Sequence, residues 1–246
     1  KKVIYEKCKI PFLFFKRPQW DKFKGAMNTF TPDTIMPDGK KNQLASTHDL
    51  AQDFSKAFNI KVMKENEKEE YVWQTCYGPG IWRIMAAIIG IHGDDNGLIL
   101  PFDLAPIQVV IVPVLFKEKE NKLIIKKCKE IEAKLKEYRI KFDDTESSPG
   151  YKYNYWELRG VPIRIEIGPN EVKEDKVTLS LRINAKNKIF IKLKDLLKEI
   201  EKYSNTIDKK IEENANSYFK NKTKETNSYD ELKKFVRSAT QQELFD

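Results

Sequence analysis

The chain has 246 residues, a net charge of +8, 40% hydrophobic and 11% aromatic side chains, a globular composition that excludes a disordered polymer and makes one large domain or two ordinary ones. Its longest apolar stretches, Ile84–Ile91 and Ile107–Phe116, fall well short of the roughly 20 residues of a bilayer span, and no apolar segment follows the charged first residues as a secretory signal requires. Three scattered cysteines, Cys8, Cys76 and Cys128, are too few for a disulfide scaffold or a zinc site and fit a reducing, cytoplasmic setting.

The pattern of the first hundred residues is rich in strands and turns. Pro11–Lys16 is a short apolar strand, Pro18–Asp21 a turn, and Met36–Gly39 reads as a hairpin turn. Leu50, Phe54, Ala57 and Phe58 recur at helical spacing and predict a helix over Thr47–Asn59 with Thr47 as its cap. Tyr71–Gln74 alternates as a strand, Gly78-Pro79-Gly80 breaks it, and Ile81–His92 is a nearly all-apolar helix predicted to lie in a core of its own. Pro101–Pro106 reads as a linker.

Beyond it, strands and helices alternate as a mixed α/β domain requires. Ile107–Val114 is a buried strand. Lys119–Tyr138 is a helix with Leu123, Ile124, Cys128, Ile131 and Leu135 on one face. Arg139–Asp143 is a short strand, Ser148–Gly150 a loop, and Tyr151–Leu158 a short helix. Val161–Ile167 alternates apolar and charged residues as a half-buried strand does, and Val177–Ile183 and Lys188–Ile191 are further strands. Leu193–Phe219 is a long amphipathic helix, Lys220–Tyr229 a polar connection, and Asp230–Phe245 a last short helix. The net charge is +2 over residues 1–105 and +6 over 106–246. That excess on the second part fits a polyanionic partner such as nucleic acid, or a solvated lysine-rich surface.

The strand–Gly-Pro-Gly–helix element is the first candidate for chemistry. A helix start offers free N–H groups, and Arg83 is the one basic residue opening an otherwise apolar helix. Its charge needs an anion or an acidic partner, unless it reaches solvent over a packing turn. Of the two histidines, His92 in His92–Asp95 reads as the end of a helix at Gly93 in preference to a metal ligand. His48, in a polar cluster with Gln43, Ser46 and Thr47, fits a core or capping role and a ligand site equally.

The stretches WDKFKGA (Trp20–Ala26), TIMPDGKKNQLASTHDLAQDFSKAF (Thr34–Phe58), YVWQTCYGPGIWR (Tyr71–Arg83) and IHGDDNGLILPFDLAPIQVVIVP (Ile91–Pro113) resemble the prolyl-tRNA synthetases of archaeal/eukaryotic type, and SPGYKYNYWELRGVPIRIEIGP (Ser148–Pro169) resembles the middle of their anticodon-binding domain. The resemblance covers about nine-tenths of the chain in the family's order. It implies an α/β (α+β) chain in which part of a class II synthetase antiparallel-sheet catalytic domain (1–103) is followed by a mixed-sheet α/β anticodon-binding domain (104–220). Residues 221–246 would be a flexible tail or the start of a C-terminal domain.

By the same resemblance Arg83 is the motif 3 arginine, a catalytic residue on the ATP phosphates, and Gln43 and Ser46 contact ATP, Gln43 with help from a bound cation. Phe23, His48, Cys76 and Gly78 would wall the proline pocket. Glu166 would read an anticodon base, with Lys173, Lys176 and Arg182 neutralising phosphates. The partners implied are proline, ATP with Mg2+, and tRNA(Pro), in a cytoplasmic homodimer without zinc, resident metal site or membrane contact in this chain. Trp82 stands where relatives commonly carry an acidic residue, and Cys76 where many carry a small hydroxyl residue. Class II motifs 1 and 2 and the cysteine-rich C-terminal domain of this branch are missing, and residue 1 is Lys. The expectation is therefore a fragment of an amino-acid-activating enzyme. The alternatives are a non-catalytic tRNA-binding paralogue and a synthetase for another amino acid of the same class.

Overall fold

The structure is a computed structural model that describes residues 1–115 and 118–242. After a helical turn at Lys2–Lys7, the first part runs β1 (Leu13–Lys16), β2 (Asn28–Ile35), β3 (Lys41–Gln43), β4 (Ala45–Ala51), α1 (Asp53–Ala57), β5 (Lys61–Met63), β6 (Glu69–Tyr71), β7 (Gln74–Pro79) and α2 (Ile81–His92). Strands β1, β2, β4 and β7 lie side by side and β3 pairs with β2, every pairing antiparallel. The predicted Met36–Gly39 turn joins β2 to β3, with the Met36 and Gly39 amides closing it. Strands β5 and β6 form a separate hairpin.

The second part runs β8 (Val109–Pro113), α3 (Glu118–Lys134), β9 (Ile140–Phe142), α4 (Pro149–Leu158), β10 (Ile163–Ile167), α5 (Pro169–Lys173), β11 (Lys176–Leu181), β12 (Asn184–Lys192), α6 (Leu196–Lys222) and α7 (Tyr229–Gln242). Its sheet is mixed, in the order β12-β11-β10-β8-β9, with β8 parallel to both β9 and β10. Parallel neighbours need a crossover connection, and α3 and α4 supply the two crossovers. One face packs Ile111, Ile163, Ile165, Val177 and Leu179 against Ile124, Cys128 and Ile131 of α3 and Ile200, Ile207 and Ile211 of α6. On the other face Val110 and Val112 lie beneath Trp156 of α4. Helix α6 continues past this core to the first part, where Tyr218 donates to the Met36 carbonyl at 2.7 Å and Asn216 to the Tyr5 hydroxyl at 3.1 Å.

Several local expectations are corrected. The helix predicted over Thr47–Asn59 is strand β4 followed by the single turn α1. β4 is the central strand between β2 and β7, and that pairing outweighs the 3.6-residue spacing of its apolar residues. Gly78 and Pro79 do not break β7 but complete it, Pro79 opposite Ala45. Helix α2 is not wrapped in a core of its own. Ala87 and His92 are buried, but Ile81, Trp82, Met85 and Ile89 are exposed. Phe102 within the predicted linker packs in the second core and Ala105 is also buried, so this segment is packed turn. Leu123 is exposed and leaves the predicted apolar face of α3. Ser148 caps α4, accepting from Tyr151 N, and Pro149 and Gly150 are already helical. The predicted strand Lys188–Ile191 is the second half of the longer β12. Of the last predicted helix, positions 243–245 lie outside the described residues.

Candidate functional site

Directly opposed residues of an antiparallel pair share a face, and side chains alternate along each strand. The register pairs Ser46 with Gly78, His48 with Cys76, and Thr29 with His48, so these residues and Phe23 above them line one face of the first sheet. The Phe23 and His48 rings are 4.8 Å apart, the Phe23 amide donates to Thr29 Oγ1 at 3.0 Å, and His48 Nδ1 lies 2.9 Å from the same hydroxyl. Gly78 leaves the space over its partner open, since a Cβ there would lie 3.2 Å from Ser46 Oγ. Cys76 is an exposed free thiol. The outcome is a shallow patch walled by one phenyl ring, one imidazole, one thiol and bare backbone. Such a lining suits a small apolar ring with few polar handles.

Beside this patch, Gln43 is held from two directions. Arg17 Nη2 donates to Gln43 Oε1 at 3.2 Å and to Asp33 Oδ2 at 2.7 Å, while Arg83 Nη1 donates to the Gln43 carbonyl at 3.3 Å. Asp33 and Thr31 are buried on the same face as Gln43, and among the described residues no hydrogen-bond partner reaches Asp33 Oδ1 or Thr31 Oγ1. Arg17 and Asp33 were not singled out from the sequence. A lone arginine between an apolar run and a turn carries no local signal of a partner sixteen residues on. Helix α2 begins at Ile81 without a side-chain cap and without an acidic residue in its first turn. Gly80 allows the joint, because a Cβ there would lie 2.8 Å from the Leu44 carbonyl oxygen that the Gly80 amide bonds. The exposed Arg83 guanidinium is tied to the Gln43 carbonyl at the uncapped start of α2, and Ser46 lies opposite Gly78, two residues before Gly80. That combination is suited to a phosphate chain.

The second group of expected residues is not brought together. All five residues of β10 are buried, including Arg164 and Glu166, so the strand is not half-buried as its alternation predicts. Arg164 donates to Glu166 Oε1 at 3.0 Å, to Glu157 Oε1 at 2.6 Å and to Ser180 Oγ at 3.1 Å, and Lys188 also donates to Glu166 Oε1. Tyr153 lies over this network, with the Arg164 guanidinium 4.1 Å and the Lys188 ammonium 5.0 Å from its ring centre. Burial and the adjacent Glu166 carboxylate push the Tyr153 phenol well up. Arg182 is buried and is not a surface phosphate ligand. It donates to Asp94 Oδ2 at 3.0 Å, to Asp94 Oδ1, and to the Glu157 carbonyl at 3.0 Å, joining the two parts of the chain. These bonds hold the Asp94 carboxyl below its usual range. Lys173 is exposed at the end of α5, and Lys176 pairs with Glu174 at 2.7 Å. Arg164, Lys188 and Tyr153 complete the network around Glu166. Arg164, at i−2 from Glu166 in a strand, is the one member whose placement the sequence pattern carries.

His92 ends α2, as expected, and its Nε2 donates to the Cys8 carbonyl at 2.8 Å. Among the described residues no group of three or more His, Cys, Asp or Glu side chains is arranged to hold a metal ion, and no helix is long and apolar enough to cross a membrane.

Residues 108–203 match the family described as "Anticodon binding domain". Over 242 residues, 97% of this chain and 50% of the relative, the sequence is 48% identical to a proline–tRNA ligase of Thermofilum pendens. It is 45% identical to the proline–tRNA ligase of Methanocaldococcus jannaschii over 89% of this chain and 48% of that protein. A third such ligase, from Archaeoglobus fulgidus, is 46% identical over 74% of this chain and 38% of its own length. The chain spans about half the length of the curated relatives it matches.

Proposed function

We propose that this chain, homologous to about half of a proline–tRNA ligase, supplies part of the proline and ATP site and the tRNA-reading module of an enzyme that charges tRNA(Pro) with proline. The observation that carries the reading is the Arg83 guanidinium bonded to the Gln43 carbonyl at the uncapped start of α2, with β4 and β7 setting Ser46 opposite Gly78 and His48 opposite Cys76 beneath Phe23. In the first step the proline carboxylate attacks the α-phosphorus of ATP, giving prolyl-adenylate and pyrophosphate. In the second, the terminal adenosine hydroxyl of tRNA(Pro) takes the prolyl group and releases AMP. Neither step needs a covalent enzyme intermediate. The protein contributes positioning and charge stabilisation, so an arginine and helix N–H groups on the phosphates are the appropriate equipment.

Each proposed residue has a part to which its setting is suited. Arg83 holds the phosphate chain. Arg17 fixes the Gln43 side chain by bonding its amide oxygen while it pairs with Asp33. Both Gln43 oxygens are engaged by guanidinium groups, and Gln43 would contact ATP with the help of the cation that accompanies it. The Phe23 ring packs on the pyrrolidine, with His48 and Cys76 closing its sides and Gly78 keeping the floor clear. Recognition of a small ring rests on this close fit, because an apolar ligand offers little to hydrogen-bond. Glu166 and Lys176 share the tRNA face of the second part, whereas Lys173, at the end of α5, lies beside Leu123 and Ile124 of α3 on the opposite side of the sheet. A homodimeric assembly and a cytoplasmic setting are parts of the same proposal, and the ligase relatives favour it over a non-catalytic tRNA-binding paralogue.

The test is Arg83→Ala in the full-length protein. Proline-dependent exchange of pyrophosphate into ATP should fall at least ~100-fold, as loss of a transition-state charge clamp does, with the unfolding midpoint unchanged. Near-normal exchange would remove Arg83 from the phosphate site.

A further inference from the structure

One face of the second sheet is left open at its β12 edge. Helix α4 lies over β8, and its Tyr153 reaches as far as Arg164 and Glu166 on β10. Next to it Thr178 and Ser180 of β11 are buried, and the edge strand β12 is open, with Lys188, Phe190 and Lys192 exposed. In register across this face run Glu166, Thr178 and Phe190 in one row, Arg164, Ser180 and Lys188 in the next, and Lys176 and Lys192 in the row on the other side. Phe190 is 64% exposed in the middle of a regular strand, and it is flanked at i−2 and i+2 by Lys188 and Lys192 on the same face. The Lys176 ammonium sits 5.1 Å from its ring centre. Two strand spacings place Phe190 about 10 Å from Glu166.

A large apolar ring held out to solvent by a rigid strand has no packing role for the fold. It offers a flat surface, ringed by ammonium groups, to a planar and negatively charged partner. Lys188 and Lys176 are partly neutralised by Glu166 and Glu174, whereas Lys192 has no carboxylate partner among the described residues. We infer that Phe190 is a stacking platform for one unpaired base of a single-stranded RNA segment laid along the edge strand β12, with Lys192 and Lys176 beside the phosphates that flank that base. The inference rests on the proposed tRNA-reading role of this part of the chain and adds a residue that reads no sequence, since every base has a π-face. Stacking on a sheet aromatic flanked by basic residues is a sequence-tolerant source of affinity for unpaired nucleotides.

The experiment measures binding of the full chain to two RNAs of equal length, a hairpin with the anticodon stem and loop of tRNA(Pro) and a blunt duplex without unpaired bases. Phe190→Ala should weaken hairpin binding about 10-fold and leave duplex binding unchanged, the size expected for one lost base–aromatic stack. Phe190→Trp should restore hairpin affinity, and its added indole emission should be quenched by the hairpin alone. Lys192→Ala should weaken both RNAs and flatten the salt dependence of both. Hairpin binding by Phe190→Ala equal to that of the parent overturns the platform while leaving the tRNA-reading role standing. A parent chain that binds neither RNA overturns that role and the platform with it. Loss of chain self-association in Phe190→Ala, with RNA binding intact, would assign the face to a protein contact and overturn the platform as well.

Discussion

Arg182 and Asp94 form an ion pair whose two members are unequally placed, and that inequality predicts an order of mutational cost. The Arg182 side chain is 4% exposed and the Asp94 side chain 41%. Arg182→Ala removes three hydrogen bonds, but Asp94 turns to water and the Glu157 carbonyl keeps the Gly160 amide as a donor, so no buried group is left unpaired. The loss is then that of a charge-assisted hydrogen-bond set, about 1.5–3 kcal/mol. Asp94→Ala is the worse change, because it leaves a buried guanidinium with one carbonyl for company. Stranding a buried charge costs about 3–5 kcal/mol. At about 2–4 °C per kcal/mol for a chain of this size, Asp94→Ala should lower the midpoint of thermal unfolding by about 10 °C and Arg182→Ala by about half of that. Circular dichroism melts of both variants and of the double variant measure it, and the double variant should be no less stable than Asp94→Ala. The reverse order refutes the burial argument. An Arg182→Ala chain of unchanged stability with a flatter salt dependence of RNA binding would return Arg182 to the phosphate-contacting role its position in the sequence suggested.

Two further changes test the neighbouring chemistry. Burial holds the His92 imidazole below its ordinary value of 6.5, against the opposing hydrogen bond to the Cys8 carbonyl, so below that pH the unfolded chain takes up a proton that the folded chain resists. Stability should therefore fall as pH drops from about 6.5 toward 5, and denaturant titrations of His92→Gln, which keeps an N–H donor for Cys8, should show a flatter slope across that window. Cys76 is exposed while Cys8 and Cys128 are buried, with the Cys128 thiol pushed up to about 12 by burial, so a bulky maleimide should add once to the native protein. Peptide mass mapping should place that single adduct on Cys76, and bound proline should slow its formation.

The second part of the chain was the more legible in its sequence. Its strands are short β-branched runs and its helices long amphipathic ones, so each segment states its own periodicity, and α3, α4, β10 and α6 lie close to where the pattern puts them. The first part is assembled from pairings that no segment reveals by itself. β4 reads locally as a helix because Leu50, Phe54 and Phe58 share helical spacing, yet Ser46 and His48 find their places by lying opposite Gly78 and Cys76. The residue types around the shallow patch were open to reading, and the resemblance supplied their grouping. Arg17 escaped because its partners, Asp33 and Gln43, come from two other strands. Glu166 was expected at the surface because alternation marks a strand's two faces without saying what covers them. Here Tyr153 and Lys188 close over the charged face.

Helix α6 has a consequence for how the chain can change in length. Its 27 residues extend about 40 Å, with Ile200, Ile207 and Ile211 fixed in the second core and Asn216 and Tyr218 bonded to Tyr5 and Met36 in the first part. One residue inserted between Ile211 and Asn216 would rotate everything after it by about 100°, swinging Tyr218 away from the Met36 carbonyl. Seven inserted residues would restore the rotation to within about 20° but push the contact about 10 Å farther along the axis. No insertion satisfies both conditions, so between Ile211 and Tyr218 the residue count itself is fixed, while the side chains on the solvent side of the same turns remain free to vary.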